Sequence, residues 1–162
     1  MTNATANVVV DYYSDVLCVW AWIAQPRLEK LCDEWRDRLT VRYRYVDVFG
    51  DAHTKIPGKW GEPDGFDRFA EHVQQAGADH IHTALHPDLW RVTRPRSSLP
   101  AHLVLKAAAL VAGNAAEETL ALALRRAFFC EARDIGDMDV LLAVADAADI
   151  DAEALRKVVR TG

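Results

Sequence analysis

Residues 7–13, Asn-Val-Val-Val-Asp-Tyr-Tyr, form a β-branched and aromatic run of the length of a strand enclosed on both faces. A central place in a sheet is expected of it. Ser14 to Leu17 break that run, and from Cys18 onward the apolar positions Trp22, Ile23, Leu28, Leu31 and Trp35 recur with helical spacing. A helix therefore starts close to Cys18, with Pro26 in its early turns. In residues 40–47, Val41, Tyr43 and Tyr45 alternate with Arg42 and Arg44, which predicts a second strand with one face toward solvent. Strand, helix and strand in so short a span make a right-handed βαβ unit with parallel strands.

Residues 50–65 contain Gly, Pro, Asp and Lys with little periodicity and read as an extended loop. Residues 66–75 form a short amphipathic helix that ends at Gly77, and residues 78–95 are irregular and carry several histidines. From Ser98 the chain turns Ala/Leu-rich, predicting helices over 98–112, 115–131, 137–148 and 151–160. The segments are thus 1–50 as the βαβ part, 51–97 as loop and short helix, and 98–162 as a helical region.

Composition narrows the function classes. In 162 residues, 51% are hydrophobic and 27% charged, which supports one globular domain rather than a disordered chain. The 19 Lys+Arg against 24 Asp+Glu leave a net charge of −5, so no nucleic-acid partner is expected. No apolar run is long enough to span a membrane and residues 1–7 do not read as a leader, so no membrane partner and a cytoplasmic location are expected. Three widely spaced cysteines, Cys18, Cys32 and Cys130, argue against a disulfide framework.

Cys18 stands where a buried strand passes into a helix, a place where free backbone amides and the helix dipole favour an anion. Helix starts lower thiol pKa values in general, which makes Cys18 the candidate nucleophile; the other reading is a small buried hydrophobe. Asp15 serves either the thiol or a turn or cap. Trp20 and Trp22 pack around the helix start or touch a substrate. Trp60 and Trp90 anchor the irregular stretches or line a groove. His80, His82 and His86 include an i, i+4 pair, but without acidic or thiol ligands beside them they read as a polar segment, and no metal is expected.

The string Ser14-Asp15-Val16-Leu17-Cys18-Val19-Trp20-Ala21-Trp22-Ile23, followed by Arg27-Leu28-Glu29-Lys30, resembles the active-site segment of the DsbA family, closest to its FrnE-like branch. There the pattern is Asp-x-x-Cys-Pro-Trp-Cys-Tyr followed by Arg-Leu-Glu-Lys. The likeness continues in Ser97-Ser98-Leu99-Pro100-Ala101-His102, in Phe128-Phe129 to Asp137, and in Val140 to Leu155. It implies an α/β, thioredoxin-like fold: a βαβ unit with a large all-helical insertion. The family adds two further strands and a helix after that insertion, preceded by a cis-proline. All six prolines of this chain come earlier, so the sheet is expected to be incomplete here and the chain to be a piece of a longer protein.

Two departures from the pattern matter for chemistry. Ala21 stands where the family has its second cysteine, and Val19 replaces the intervening proline. Release of a mixed disulfide by a neighbouring thiolate needs that second sulfur. Cys32, on the same predicted helix, is roughly 21 Å from Cys18 at 1.5 Å per residue. The resemblance then implies a thiol-disulfide oxidoreductase acting through Cys18 alone, on a small-molecule or protein thiol, with Ser14, Asp15, Trp20, Trp22 and His102 as substrate-binding residues. The resemblance implies that no cofactor is required, and it allows for glutathione as a ligand and for a homodimer. The related 2-hydroxychromene-2-carboxylate isomerases and kappa-class glutathione transferases supply a second reading, a glutathione-dependent isomerase or transferase. A non-catalytic binding module, with its groove between residues 50 and 95, is the third.

Overall fold

The computed structural model describes residues 7–161; the ends of the expected 1–50 and 98–162 segments, residues 1–6 and Gly162, lie outside the described residues. Strand β1 (Val8–Ser14) leads through helix α1 (Val19–Glu34) into strand β2 (Leu39–Tyr45), and the two strands pair in parallel from Val8 opposite Leu39 to Ser14 opposite Tyr45. The expected βαβ unit is present. Pro26 lies inside α1, which continues past it.

The expected burial of β1 is corrected by the structure. Val8 is 56% exposed and Val9 49%, because among the described residues β1 has only β2 beside it and one edge is open. The alternation read in β2 holds: Val41, Tyr43 and Tyr45 are half-buried, and Thr40, Arg42 and Arg44 face solvent. On that solvent face Arg42 and Arg44 both donate to the Asp11 carboxylate, at 2.8–2.9 Å, and the Arg42 hydrogen bonds hold its pKa below the usual carboxylate value.

A second correction concerns residues 50–65, where helix α2 (Ala52–Trp60) replaces the extended loop. The Asp51 carboxylate accepts from the Thr54 amide at 3.3 Å, an N-cap that starts the helix, and Gly61 at φ 86° ends it. Pro57 forfeits one ladder bond yet is buried. A Cβ on Gly65 would sit 2.9 Å from the Pro57 Cα, so the Gly and Pro that mimic a loop are what let α2 approach helix α3 (Gly65–Ala78) backbone to backbone.

Residues 79–98 are irregular, as expected, and wrap around one side chain. Trp90 is fully buried at φ 62°, a costly conformation for a bulky residue, and is held by Phe69, Phe49 and Phe128 at ring distances of 5.3–5.5 Å. It is an anchor, and so is half-buried Trp60 against Phe69 and His72.

Helices α4 (Leu99–Ala112), α5 (Asn114–Phe129), α6 (Met138–Ala147) and α7 (Ala152–Thr161) carry most of the core. Leu105, Leu120, Leu124, Phe128, Leu141 and Leu155 are all fully enclosed, each burial stabilising by roughly 1.5–3 kcal/mol. Among the described residues no helix is long and apolar enough to cross a membrane.

Candidate functional site

The β1 ladder ends at Ser14, whose carbonyl accepts from the Val46 amide at 3.1 Å, and the chain then turns through residues 15–18 into α1. Cys18 is the N-cap of α1, extended at φ −78° and ψ 116°; its carbonyl accepts from the Trp22 amide, and its side chain caps nothing. The first amides of α1 therefore have no partner within the helix. Cys18 is half-buried and Trp20, two residues on, is 54% exposed.

The turn is pinned from below. Asp15, 1% exposed, accepts from the Leu17 amide on Oδ1 at 2.8 Å and from the Phe49 amide and the Ser98 hydroxyl on Oδ2 at 2.9 and 2.8 Å. Its carbonyl accepts from the Cys18 amide at 3.1 Å. His102, on α4, accepts from the Val16 amide on Nε2 at 3.2 Å and stacks on the Tyr45 ring at 5.0 Å. Ser14 Oγ accepts from Arg125 Nη2 at 2.9 Å, and Arg125 Nη1 donates to Gln25 Oε1 of α1 at 2.9 Å. Arg125 is 1% exposed, with Nε unpartnered and no carboxylate in ion-pair range among the described residues.

Ser14, Asp15 and His102, the substrate-binding candidates, lie beneath the turn, where Ser14 Oγ, both Asp15 carboxylate oxygens and His102 Nε2 are engaged by the protein itself. Trp20 and Trp22 flank it. Trp22 Nε1 donates to the Ala84 carbonyl at 3.2 Å and its ring stacks on Phe129 at 5.7 Å, which ties α1 to the irregular stretch. Cys130 shares that carbonyl, at 3.7 Å. Ala21 is buried where a second thiol would stand. Cys32 lines a 220 Å³ cleft with Gln25, Tyr43 and Glu118, farther along α1. Burial pushes the thiols of both Cys32 and Cys130 up, and nearby carboxylates add to the rise at Cys32.

The histidines of the irregular stretch do not converge. His86 accepts from the Asp88 amide on Nδ1, and its own amide donates to the Phe129 carbonyl, so it shapes the loop. Among the described residues no group of three His, Cys, Asp or Glu side chains is placed to hold a metal. Arg125 and Gln25 carry no mark in the sequence reading, and Ser98 enters it only within the Ser97 to His102 motif. The available signal was a charged residue set among Ala121, Leu124 and Phe128, on the apolar face of α5.

The family model described as DSBA-like thioredoxin domain matches residues 9–162. No curated protein matches the chain. Among solved structures, a protein assigned as a protein disulfide isomerase from Nitrosomonas europaea superposes with a TM-score of 0.76 at 16% identity, covering 96% of this chain and 71% of that one. The cytosolic disulfide reductase DsbM from Pseudomonas aeruginosa does so at 0.66 and 22%, over 94% and 71%, and it has also been solved with glutathione. A 2-hydroxychromene-2-carboxylate isomerase follows at 0.58 and 21%, over 96% and 72%. At these identities the likeness is one of fold, the thioredoxin-like arrangement that the sequence resemblance implied.

Proposed function

The chain belongs to the DSBA-like thioredoxin domain family, and from that premise we propose that it is a thiol-disulfide oxidoreductase working through the single sulfur of Cys18. The observation that carries this reading is the position of Cys18: a half-buried N-cap with no side-chain hydrogen bond, in front of amides without intrahelical partners. Buried Ala21 leaves the first turn of α1 without a second sulfur to resolve an adduct, and in this reading the second thiol comes from solution.

The Cys18 thiolate attacks one sulfur of a substrate disulfide, forming a Cys18 mixed disulfide as the other sulfur leaves as a thiolate. A small thiol such as glutathione, as its thiolate, attacks that mixed disulfide, regenerates Cys18 and carries away the new disulfide. One disulfide is exchanged for another in each step: the cycle leaves one substrate sulfur as a thiol and the other joined to the small thiol, and attack of a second small thiol on that disulfide completes the two-electron reduction and releases the oxidised small thiol. Trp20, exposed beside the sulfur, offers an apolar platform for the substrate, and Trp22 fixes the depth of the helix start. A cytoplasmic setting supplies the small thiol.

Treatment with oxidised glutathione, followed by peptide mass analysis, tests the reading. The expected product is one glutathione on Cys18, removed by excess reduced glutathione, while Cys32 and Cys130 stay unmodified. An adduct distributed over the three cysteines, or absent from Cys18, overturns it.

The likeness to the isomerase fold, together with Ala21, favours a second reading in which glutathione binds and the protein sulfur stays uncombined. Cys18 then donates a hydrogen bond to the glutathione thiolate. Cys18→Ser separates the two: it abolishes the exchange cycle and leaves a hydrogen-bonding role intact.

A further inference from the structure

Val16 is fully buried immediately past the end of the β1 ladder, where no carbonyl of the sheet remains for its amide. A buried N–H must find an acceptor, and the one it has is the Nε2 of His102, 86 residues away on α4, at 3.2 Å. An N–H aimed at a ring nitrogen requires a lone pair there, which puts the imidazole proton on Nδ1. The next two amides are satisfied locally: Leu17 by Asp15 Oδ1 and Cys18 by the Asp15 carbonyl. Of the three successive amides that shape the turn, Val16 alone depends on a distant element.

We propose that His102 is a positioning residue for the Cys18 turn: as the Nδ1-protonated imidazole it takes the Val16 amide on Nε2 and so couples α4 to the thiol. The inference rests on the reading above only in that the turn carries the reacting sulfur. A packing role would need nothing more than a flat ring against Tyr45. The positioning role needs an acceptor at the reach of Nε2. Ser98, whose hydroxyl donates to Asp15 Oδ2, is the second side chain by which the start of α4 grips the turn. Tyr45 holds the ring plane.

The test uses the full chain labelled with ¹⁵N. In the unaltered protein, a scalar coupling across the hydrogen bond between the Val16 amide nitrogen and His102 Nε2 is expected; its absence overturns the proposal. Three variants separate reach from bulk. His102→Leu removes the acceptor, and Val16 amide exchange is expected to quicken about tenfold or more while the Cys18 alkylation rate, read on its own peptide, shifts about threefold or more. His102→Gln places an oxygen at nearly the same reach and restores both readouts. His102→Asn places it too close to the backbone and does not.

If His102→Leu leaves both readouts unchanged, or if Asn serves as well as Gln, the proposal falls. If His102→Leu fails to fold, the Gln and Asn pair and the coupling still decide. A Cys18 that is alkylated no faster than Cys32 and Cys130 in the unaltered protein sinks the single-sulfur reading, whereas the Val16 coupling and exchange judge His102 independently of it.

Discussion

In the βαβ segment, Val8, Val9, Val10 and Tyr13 stand 36–65% exposed, whereas in the helical region Leu105, Leu120, Leu124 and Phe128 are fully enclosed. The same chain thus holds a thin part, two strands and a helix with an open edge, beside a thick part with a dense apolar interior. The candidate sulfur belongs by sequence to the thin part. Its turn nevertheless draws three side-chain partners from the thick one: Ser98 and His102 of the α4 start and Arg125 of α5. Precise placement of a thiol requires rigid surroundings, and the rigidity here is borrowed across 80 to 110 residues of chain.

The contrast can be broken most forcefully at Phe128→Ala. That substitution empties space among Trp90, Phe129 and the helices and is expected to cost about 3–5 kcal/mol in urea denaturation. A loss below about 1 kcal/mol would mean that the thick part is not the source of stability. Next comes Asp15→Ala, which strands the Leu17 amide, the Phe49 amide and the Ser98 hydroxyl. About 2–3 kcal/mol is expected, together with a changed alkylation rate at Cys18; a lower stability with an unchanged rate would detach the turn from the sulfur.

The seam between the two parts sets a pH limit. Burial pushes the Tyr43 phenol up to about 12 and Tyr45 higher still. The unfolded chain, with phenols near their ordinary value of 10, then releases protons first as pH rises. Stability is expected to be intact below about pH 10 and to fall between roughly pH 10 and 12, as followed by thermal melts. Tyr45→Phe removes a hydroxyl that is buried without a partner, and it is expected to flatten that fall without lowering stability at neutral pH.

The smallest effects belong to the open sheet. Val9→Thr is expected to stay within about 0.5 kcal/mol. Asp11→Asn removes a carboxyl whose lowered pKa adds stability above the unfolded value, lost as pH falls through the folded one. Its mark is a flatter acid limb: a small loss at neutral pH that disappears below the folded pKa. A large loss from either substitution would mean that the exposed face is covered in the working protein.

Pattern alone places β1, α1 and β2 to within a residue or two, because alternation and helical spacing are local signals. It misjudges β1 burial, since the Val8 to Val10 run states an appetite for neighbours and says nothing of how many are present. It also misses α2: Pro57, Gly58 and Gly61 outweigh the Asp51 and Thr54 cap in any local count, and the close approach at Gly65 that explains them is tertiary. At the site, Cys18 is visible as the residue where one period gives way to another. Ser14, Asp15 and His102 are found in the right neighbourhood, but their inward direction depends on Ser98 and Arg125, 83 and 111 residues from the side chains they hold. No window along the chain contains both ends of those bonds.

Cys18 also fills the one position of α1 at which an oxygen would do the helix more good. Aspartate or serine there would close onto a free amide and is expected to raise the melting temperature, the equivalent of about 0.5–1 kcal/mol. A selection that rewarded heat tolerance alone would therefore drift toward replacing the sulfur, and its survivors would be sturdier proteins without the proposed disulfide exchange. Thermal ruggedness and chemistry compete here for a single atom.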